Sequence, residues 1–145
     1  MDPNVIETAR AATQVMSIPA APVAVFAVIA DPLRLPEWSP TFARSVAPRG
    51  ARWHVTTFTG AVTLDVVVVR EPAWTVDYVR PRAPRSEGAR LRAIPSGRGS
   101  ELIYTMLLAA DADDAAVARR LRVMSEELET IRGLAVLARG RTRRR

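Results

Sequence analysis

The chain has 145 residues, of which 48% are hydrophobic and 25% charged, enough for one globular domain with its own core. It has no cysteine, which excludes disulfides, thiol catalysis and sites built from cysteine thiolates. The formal net charge is +6, and every one of the 21 basic residues is arginine. Five of these arginines lie in the segment 139–145, so the preceding chain is almost neutral, with 16 arginines against 15 acidic residues.

Neither a targeting segment nor a membrane span is evident in the sequence. The N-terminus lacks the charged start and apolar run of a signal peptide. The longest apolar runs, Ala20–Ala30 and Val66–Val69, are shorter than the roughly 20 residues that cross a bilayer. We therefore expect a cytoplasmic protein without a membrane span, either a monomer or a homodimer.

The first forty residues predict one strand and two short helical segments. Thr13–Ile18 alternates as a strand does, and Pro22 is well placed in the first turn of a helix, where its missing N–H costs nothing. Asp31-Pro32 ends that helix. A second short helical segment spans Leu33 to Trp38 and is bounded by prolines.

Between Thr41 and Ala110 the hydrophobic pattern has a period of two, interrupted by glycines and prolines. It predicts six further strands: Thr41–Ala47, Ala51–Phe58, Ala61–Arg70, Trp74–Arg82, Ala89–Ile94 and Glu101–Ala109. Because short turns connect them, consecutive strands should pair antiparallel.

After Asp111 the period changes to that of a long amphipathic helix. Its apolar stripe steps by four and three residues through Val117, Leu121, Met124, Leu128, Ile131 and Ala135. We assign the polar residues Arg119, Arg120, Glu126, Glu127 and Arg132 to its solvent face. Such a helix can cover the apolar face of the sheet, which predicts one α+β domain over residues 1–138. Residues 139–145 would then form a basic, disordered tail.

The turn near residue 60 predicts a register for the two strands around it. If Thr59-Gly60 is a two-residue loop, Phe58 lies opposite Ala61, and apolar residues of both strands share one face. The same register places His54 opposite Asp65 on the other face. We interpret this pair as a surface contact rather than a catalytic dyad. A single histidine also excludes a histidine-rich metal site.

Continuing the alternation gives the side chains of the inner face in the later strands. They are Trp74, Val76, Tyr78, Arg80, Leu91, Ala93, Leu102, Tyr104, Met106 and Leu108. Two interpretations stay open: a packed core whose hydroxyl groups bind backbone atoms, or a pocket between sheet and helix lined by aromatic side chains.

The segment Ile18–Phe42 carries a resemblance to a known family. Its strand end at Ile18-Pro19, the Val25-Phe26 helix, Asp31-Pro32 and the run Leu35-Pro36-Glu37-Trp38-Ser39-Pro40 form the shared pattern. The sequence resembles the polyketide cyclase/dehydrase and lipid-transport group of the START-like (SRPBCC) superfamily. This resemblance implies a helix-grip fold, a seven-stranded antiparallel sheet curved around a long C-terminal helix, with two short helices after the first strand.

The resemblance also implies an apolar cavity, but no mechanism, since the superfamily shares no catalytic residues. Our first hypothesis is that the protein binds a hydrophobic small molecule, such as a lipid, polyketide or aromatic metabolite, without a cofactor or metal. The residues expected to contact it are Trp38, Trp53, Val55, Leu64, Trp74, Tyr78, Arg80, Tyr104, Met106, Met124 and Leu128.

Two other functions stay open. A cyclase or dehydratase acting on a polyketide-like chain would use Tyr78, Tyr104 and Arg80 to polarise carbonyl groups, although the predicted inner face contains no histidine or carboxylate as a base. Alternatively, the Arg139–Arg145 tail could bind an anionic partner. No aromatic residues interleave those arginines, which argues against specific nucleic-acid recognition.

Overall fold

Seven strands form a single antiparallel sheet in the part of the chain that the structure describes. A computed structural model describes residues 10–81 and 87–143, with side chains up to residue 138. The strands are β1 Arg10–Ile18, β2 Ser45–Arg49, β3 Arg52–Thr57, β4 Gly60–Val69, β5 Thr75–Val79, β6 Gly88–Ser96 and β7 Gly99–Leu108. The helices are α1 Pro22–Ile29, a 3-10 turn Pro32–Arg34, α2 Leu35–Trp38 and α3 Asp114–Arg143.

The sheet order is β1-β7-β6-β5-β4-β3-β2. Every strand after α2 pairs with its neighbour in sequence, and β1 closes the sheet beside β7. The first half of β4 pairs with β3 and its second half pairs with β5. The predicted helix-grip fold is confirmed.

The short helices follow the proline and aspartate signals of the sequence. Pro22 occupies the first turn of α1, and the Asp31 carboxylate accepts a hydrogen bond of 3.0 Å from the backbone N–H of Leu33. After α2, the backbone N–H groups of Phe42 and Ala43 donate to the carbonyl of Ser39. This turn delays β2, which begins at Ser45 rather than at the predicted Thr41.

The apolar stripe of α3 is buried in the core as predicted. Met124, Leu128, Ile131 and Ala135 are fully buried, and the helix packs on α1, α2 and β1. The backbone of α3 continues to Arg143, beyond the predicted domain boundary at residue 138.

The predicted register of the β3–β4 hairpin is wrong by two residues. Thr57 pairs with Gly60, so the loop is Phe58-Thr59 and Trp53 lies opposite Leu64 rather than Val66. The Thr57 hydroxyl explains the shift, since it accepts from the N–H of Thr59 and donates to the carbonyl of Gly60. A slip of two residues leaves each side chain on its predicted face. Val55 and Leu64 are accordingly buried.

The inner face of the later strands is also largely as predicted. Val76, Tyr78, Leu91, Ala93, Leu102 and Tyr104 are buried there. Met106 and Leu108, toward the end of β7, are only half-buried. The predicted end of β5, Arg82, lies outside the described residues, and within the described range β5 ends at Val79. The core therefore thins toward the ends of β5 and β7.

Candidate functional site

A pocket of about 70 Å³ lies between the sheet and α3, where the core thins. Its walls are Leu35, Trp38, Ser39, Phe42, Leu64, Tyr78, Arg80, Gly88, Ala89, Tyr104, Met106, Arg120 and Glu127. Six of the residues predicted to contact a ligand are among them: Trp38, Leu64, Tyr78, Arg80, Tyr104 and Met106. The alternation of the strands thus placed several of these side chains at a pocket wall, and their contact with a ligand stays a prediction.

Five other predicted contact residues do not line this pocket. Val55, Met124 and Leu128 are fully buried against neighbouring core side chains. Trp74 packs edge-on against Phe26, with ring centroids 5.1 Å apart. The fifth residue, Trp53, is half-buried on β3. An inward direction in a strand or helix does not by itself place a side chain at the pocket, because most inward side chains contact one another in the core.

Glu127 is the functional candidate that the sequence analysis missed. Its side chain was assigned to the solvent face of α3, but only 3% of the residue is exposed. The hydroxyl of Ser39 donates to its Oε2, and the hydroxyl of Tyr104 donates to its Oε1 at 3.0 Å. The inner face therefore does contain a carboxyl group. The signal was present, since Glu127 lies three residues after Met124 and four before Ile131 on the buried stripe.

The protonation of Glu127 is set mainly by its burial. Loss of hydration raises the pKa of this carboxyl group, while the hydrogen bonds from Ser39 and Tyr104 and the charge of Arg120 oppose the rise without cancelling it. Burial and the neighbouring carboxyl also raise the pKa of Tyr104 well above its usual range. The Tyr104 hydroxyl is therefore a stable donor, and the raised pKa marks Glu127 as a candidate acid or base of the pocket.

Two other polar groups of the pocket wall, the Tyr78 hydroxyl and the Trp38 N–H, differ in whether they have a hydrogen-bond partner. The hydroxyl of Tyr78 donates to the backbone carbonyl of Ile29 at 2.5 Å. Its proton is therefore used in a hydrogen bond to the last residue of α1. Trp38 is 2% exposed, and its Nε1–H finds no acceptor among the described residues. The Trp38 ring stands edge-on to Tyr78 and Tyr104, with centroids 6.2 Å and 6.3 Å away. Trp38 Nε1 is therefore a buried donor without a hydrogen-bond partner among the described residues.

Two arginines connect the pocket to the surface. Arg80 also lines a polar groove of about 560 Å³, together with Arg52, Thr63 and Glu87. Arg120 also lines a cleft of about 400 Å³ between α3 and the segment after α2. The pocket is therefore flanked by a cationic residue on each side, while its apolar walls lie between them.

A family model described as polyketide cyclase / dehydrase and lipid transport matches residues 9–135. The chain belongs to this family. No curated protein matches the sequence.

Solved structures share the fold of this family member at low sequence identity. An uncharacterised protein from Bacillus thuringiensis is 16% identical, with a TM-score of 0.69, covering 88% of this chain and 99% of its own. XoxI from Bacillus cereus is 17% identical, with a TM-score of 0.68 and coverage of 87% and 95%. The Aha1 dimer from Colwellia psychrerythraea is 11% identical, with a TM-score of 0.66 and coverage of 85% and 93%. At these identities the likeness establishes the fold alone.

The single histidine of this polyketide cyclase / dehydrase and lipid transport family member lies outside the pocket. His54 pairs with Thr63 across the hairpin, and its Nδ1 lies 3.4 Å from Nη1 of Arg49. Asp65, its predicted partner, instead accepts a hydrogen bond of 2.9 Å from Nε of Arg52. The predicted His54–Asp65 contact is wrong, because it depended on the predicted β3–β4 register, which differs by two residues from the observed one.

The described residues contain neither a metal-binding cluster nor a membrane-spanning helix. Among residues 10–81 and 87–143, no group of three histidine, aspartate or glutamate side chains is arranged to hold a metal ion. None of the helices described is both long and apolar enough to cross a membrane.

Proposed function

We propose that this polyketide cyclase / dehydrase and lipid transport family protein binds a small, largely apolar molecule in the cytoplasm, in the pocket between the sheet and α3. The observation that carries the proposal is the pocket's composition. Leu35, Phe42, Leu64 and Met106 provide apolar walls, and Glu127 provides a hydrogen-bonding group at the buried side. Apolar walls with a few fixed polar groups are typical of sites for small organic ligands.

The size of the pocket limits what it holds. A volume of about 70 Å³ corresponds to several water-sized spheres, at roughly 10–15 Å³ for each. It therefore suits one ring or a short chain, and a larger ligand would extend past Arg80 or Arg120. The carboxyl group of Glu127 in the pocket wall favours a ligand that carries a hydrogen-bonding group such as a carbonyl oxygen.

Binding is testable with two probes that share a carbon skeleton, benzylacetone and butylbenzene. We expect both to raise the melting temperature, benzylacetone at lower concentration because it carries a carbonyl. A ligand at 100 times its Kd stabilises by about 2.7 kcal/mol. For 145 residues, at about 2.1 cal/mol/K each, this corresponds to a shift of roughly 9 °C.

Two tryptophan substitutions locate the binding. Met106→Trp places a bulky side chain at the pocket wall and should abolish the ligand-induced shift. Val67→Trp, on the exposed outer side of β4, is the matched control and should leave the shift unchanged. An identical shift in both variants, or no shift with either probe in the unmodified protein, contradicts the proposal.

A second candidate is a cyclase or dehydratase, and the buried Glu127 favours it. Its carboxylate could accept the proton from a carbon next to a ligand carbonyl, while the C–H electron pair moves toward the carbonyl oxygen. The enolate electron pair would then form the carbon–carbon double bond and expel the β-hydroxyl group, which takes back the proton held by Glu127 and leaves as water, giving a conjugated ketone. The pocket would contribute orientation, which by itself lowers the barrier substantially.

This reaction can be followed with an apolar β-hydroxy ketone, because the conjugated product absorbs in the ultraviolet. We expect product formation that Glu127→Gln abolishes and that Glu126→Gln, at the exposed adjacent position, retains. Absence of product with the unmodified protein, or an unchanged rate in Glu127→Gln, contradicts a cyclase or dehydratase reaction with Glu127 as the base. Neither result affects the binding proposal.

A further inference from the structure

The inner pocket adjoins a surface cleft through two shared residues, Phe42 and Arg120. The remaining walls of the cleft are Thr41, Leu108, Ala116, Arg119 and Val123. The cleft thus combines apolar side chains with two adjacent arginines, and no acidic residue lines it among those described. A molecule that enters the pocket from this side passes Arg120 on the way.

Arg120 has no carboxylate partner among the described residues, in contrast to several arginines of the sheet. Arg10 lies 2.9 Å from Asp114, and Arg52 lies 2.9 Å from Asp65. Within the described ranges, the Arg120 side chain makes neither an ion pair within 4.0 Å nor a hydrogen bond. It is nevertheless half-buried at the pocket wall. A partly buried cation without a partner is costly, which makes the position suited to an incoming anion.

Glu127 makes no ion pair within 4.0 Å with Arg120 among the described residues. Both of its oxygens accept hydrogen bonds from hydroxyl groups, those of Ser39 and Tyr104, and its burial disfavours the ionised form. The charge of Arg120 acts on Glu127 only from beyond ion-pair distance. Arg119, the neighbouring residue in α3, adds a second positive charge at the mouth of the cleft.

We propose that the ligand of the pocket is an apolar carboxylic acid, whose carboxylate binds Arg120 at the cleft and whose hydrocarbon part enters the pocket. This inference rests on the proposed binding function and specifies the class of ligand. The planar guanidinium matches a carboxylate with two parallel hydrogen bonds, which favours a carboxylate over a neutral polar group. Leu35, Leu64 and Met106 then receive the apolar part.

The probes that test this are phenylbutyrate and phenylbutyramide, which have the same shape and differ in charge. Dissociation constants are measured by ligand-observed NMR and calorimetry at neutral pH and low salt. We expect phenylbutyrate to bind about tenfold or more tightly than the amide, as a charge-assisted contact predicts.

Variants at neighbouring positions of α3 separate a specific contact from general attraction. Arg120→Gln should remove the preference for the acid, and Arg120→Lys should keep part of it. Arg122→Gln is the matched control, because Arg122 is exposed and lines neither the pocket nor the cleft. Melting curves without ligand verify that each variant is folded.

The outcomes distinguish this inference from the proposed function. Equal affinity for acid and amide in the unmodified protein overturns the inference while the binding function stands. Loss of the preference in Arg122→Gln to the same degree as in Arg120→Gln also overturns it, since net charge alone would then explain the effect. If neither these probes nor benzylacetone binds, the proposed function itself fails.

Discussion

Replacing Tyr104 by phenylalanine tests whether the buried carboxyl group of Glu127 is held as the structure indicates. The substitution keeps the ring in the core and removes only the hydroxyl that donates to Oε1 at 3.0 Å. A hydrogen bond to a charged group contributes about 1.5–3 kcal/mol. With an unfolding entropy of about 2.1 cal/mol/K per residue over 145 residues, the melting temperature should fall by roughly 5–10 °C.

The loss should depend on pH, because Tyr104 stabilises the ionised form of Glu127. Burial raises the pKa of Glu127, so the carboxyl group is ionised only above this raised value. Below it the contact is a neutral hydrogen bond, about half as strong. We therefore expect Tyr104→Phe to cost about twice as much free energy at pH 8 as at pH 4.

Tyr78→Phe is the control for this experiment. Its hydroxyl donates to the backbone carbonyl of Ile29, which does not titrate, so its cost of about 1–3 kcal/mol should be the same at both pH values. Urea denaturation of the two variants, and of each combined with Glu127→Gln, measures the coupling. Equal pH dependence in both variants, or additivity of Tyr104→Phe with Glu127→Gln at pH 8, would refute the assigned contact.

Three further predictions concern stability. Because the folded state holds the Glu127 proton more tightly than the unfolded state, its contribution to stability should decline as pH rises from the ordinary carboxyl pKa of 4.5 through the raised value, and Glu127→Gln should remove this part of the pH profile. Gly88→Ala should lower the free energy of unfolding in urea by about 1–3 kcal/mol or more, since φ is +139° and a Cβ would lie 2.0 Å from the carbonyl oxygen of Tyr78. A smaller loss would contradict this close contact between Gly88 and the Tyr78 backbone. Leu128→Ala should cost about 2–5 kcal/mol and Val136→Ala, on the exposed side of α3, under about 0.5 kcal/mol, and similar losses would contradict the orientation of the helix.

The sequence predicted the architecture well because alternation and helical periodicity are local signals. Each strand's inner face follows from a period of two, and an error of two residues in the β3–β4 register left Val55 and Leu64 on the inner face. The observed register comes with hydrogen bonds of the hydroxyl of Thr57, the last residue of β3, to Thr59 and Gly60. Hydrophobic patterns carry no information about such a contact.

The candidate site was less predictable than the fold. Tyr104 and Arg80 were found because they lie on an inner face, whereas Glu127 was excluded because carboxylates usually face water. Its burial depends on Ser39, 88 residues earlier in the chain, and on Tyr104 of β7. Only the folded structure brings these donors together, although the position of Glu127 on the buried stripe of α3 gave a hint.

The hydrogen bond between Ser39 and Glu127 connects the end of α2 to α3 across the pocket wall. A ligand group that hydrogen-bonds to Glu127 would therefore share the carboxyl oxygens with the residue that ends this short helix. Occupancy of the pocket and attachment of α2 are then thermodynamically linked, and the linkage is reciprocal. The factor by which α2 attachment changes ligand affinity equals the factor by which the ligand changes the equilibrium of α2 attachment. A substitution at Ser39 that weakens the attachment should therefore also change the rate at which the ligand leaves the pocket.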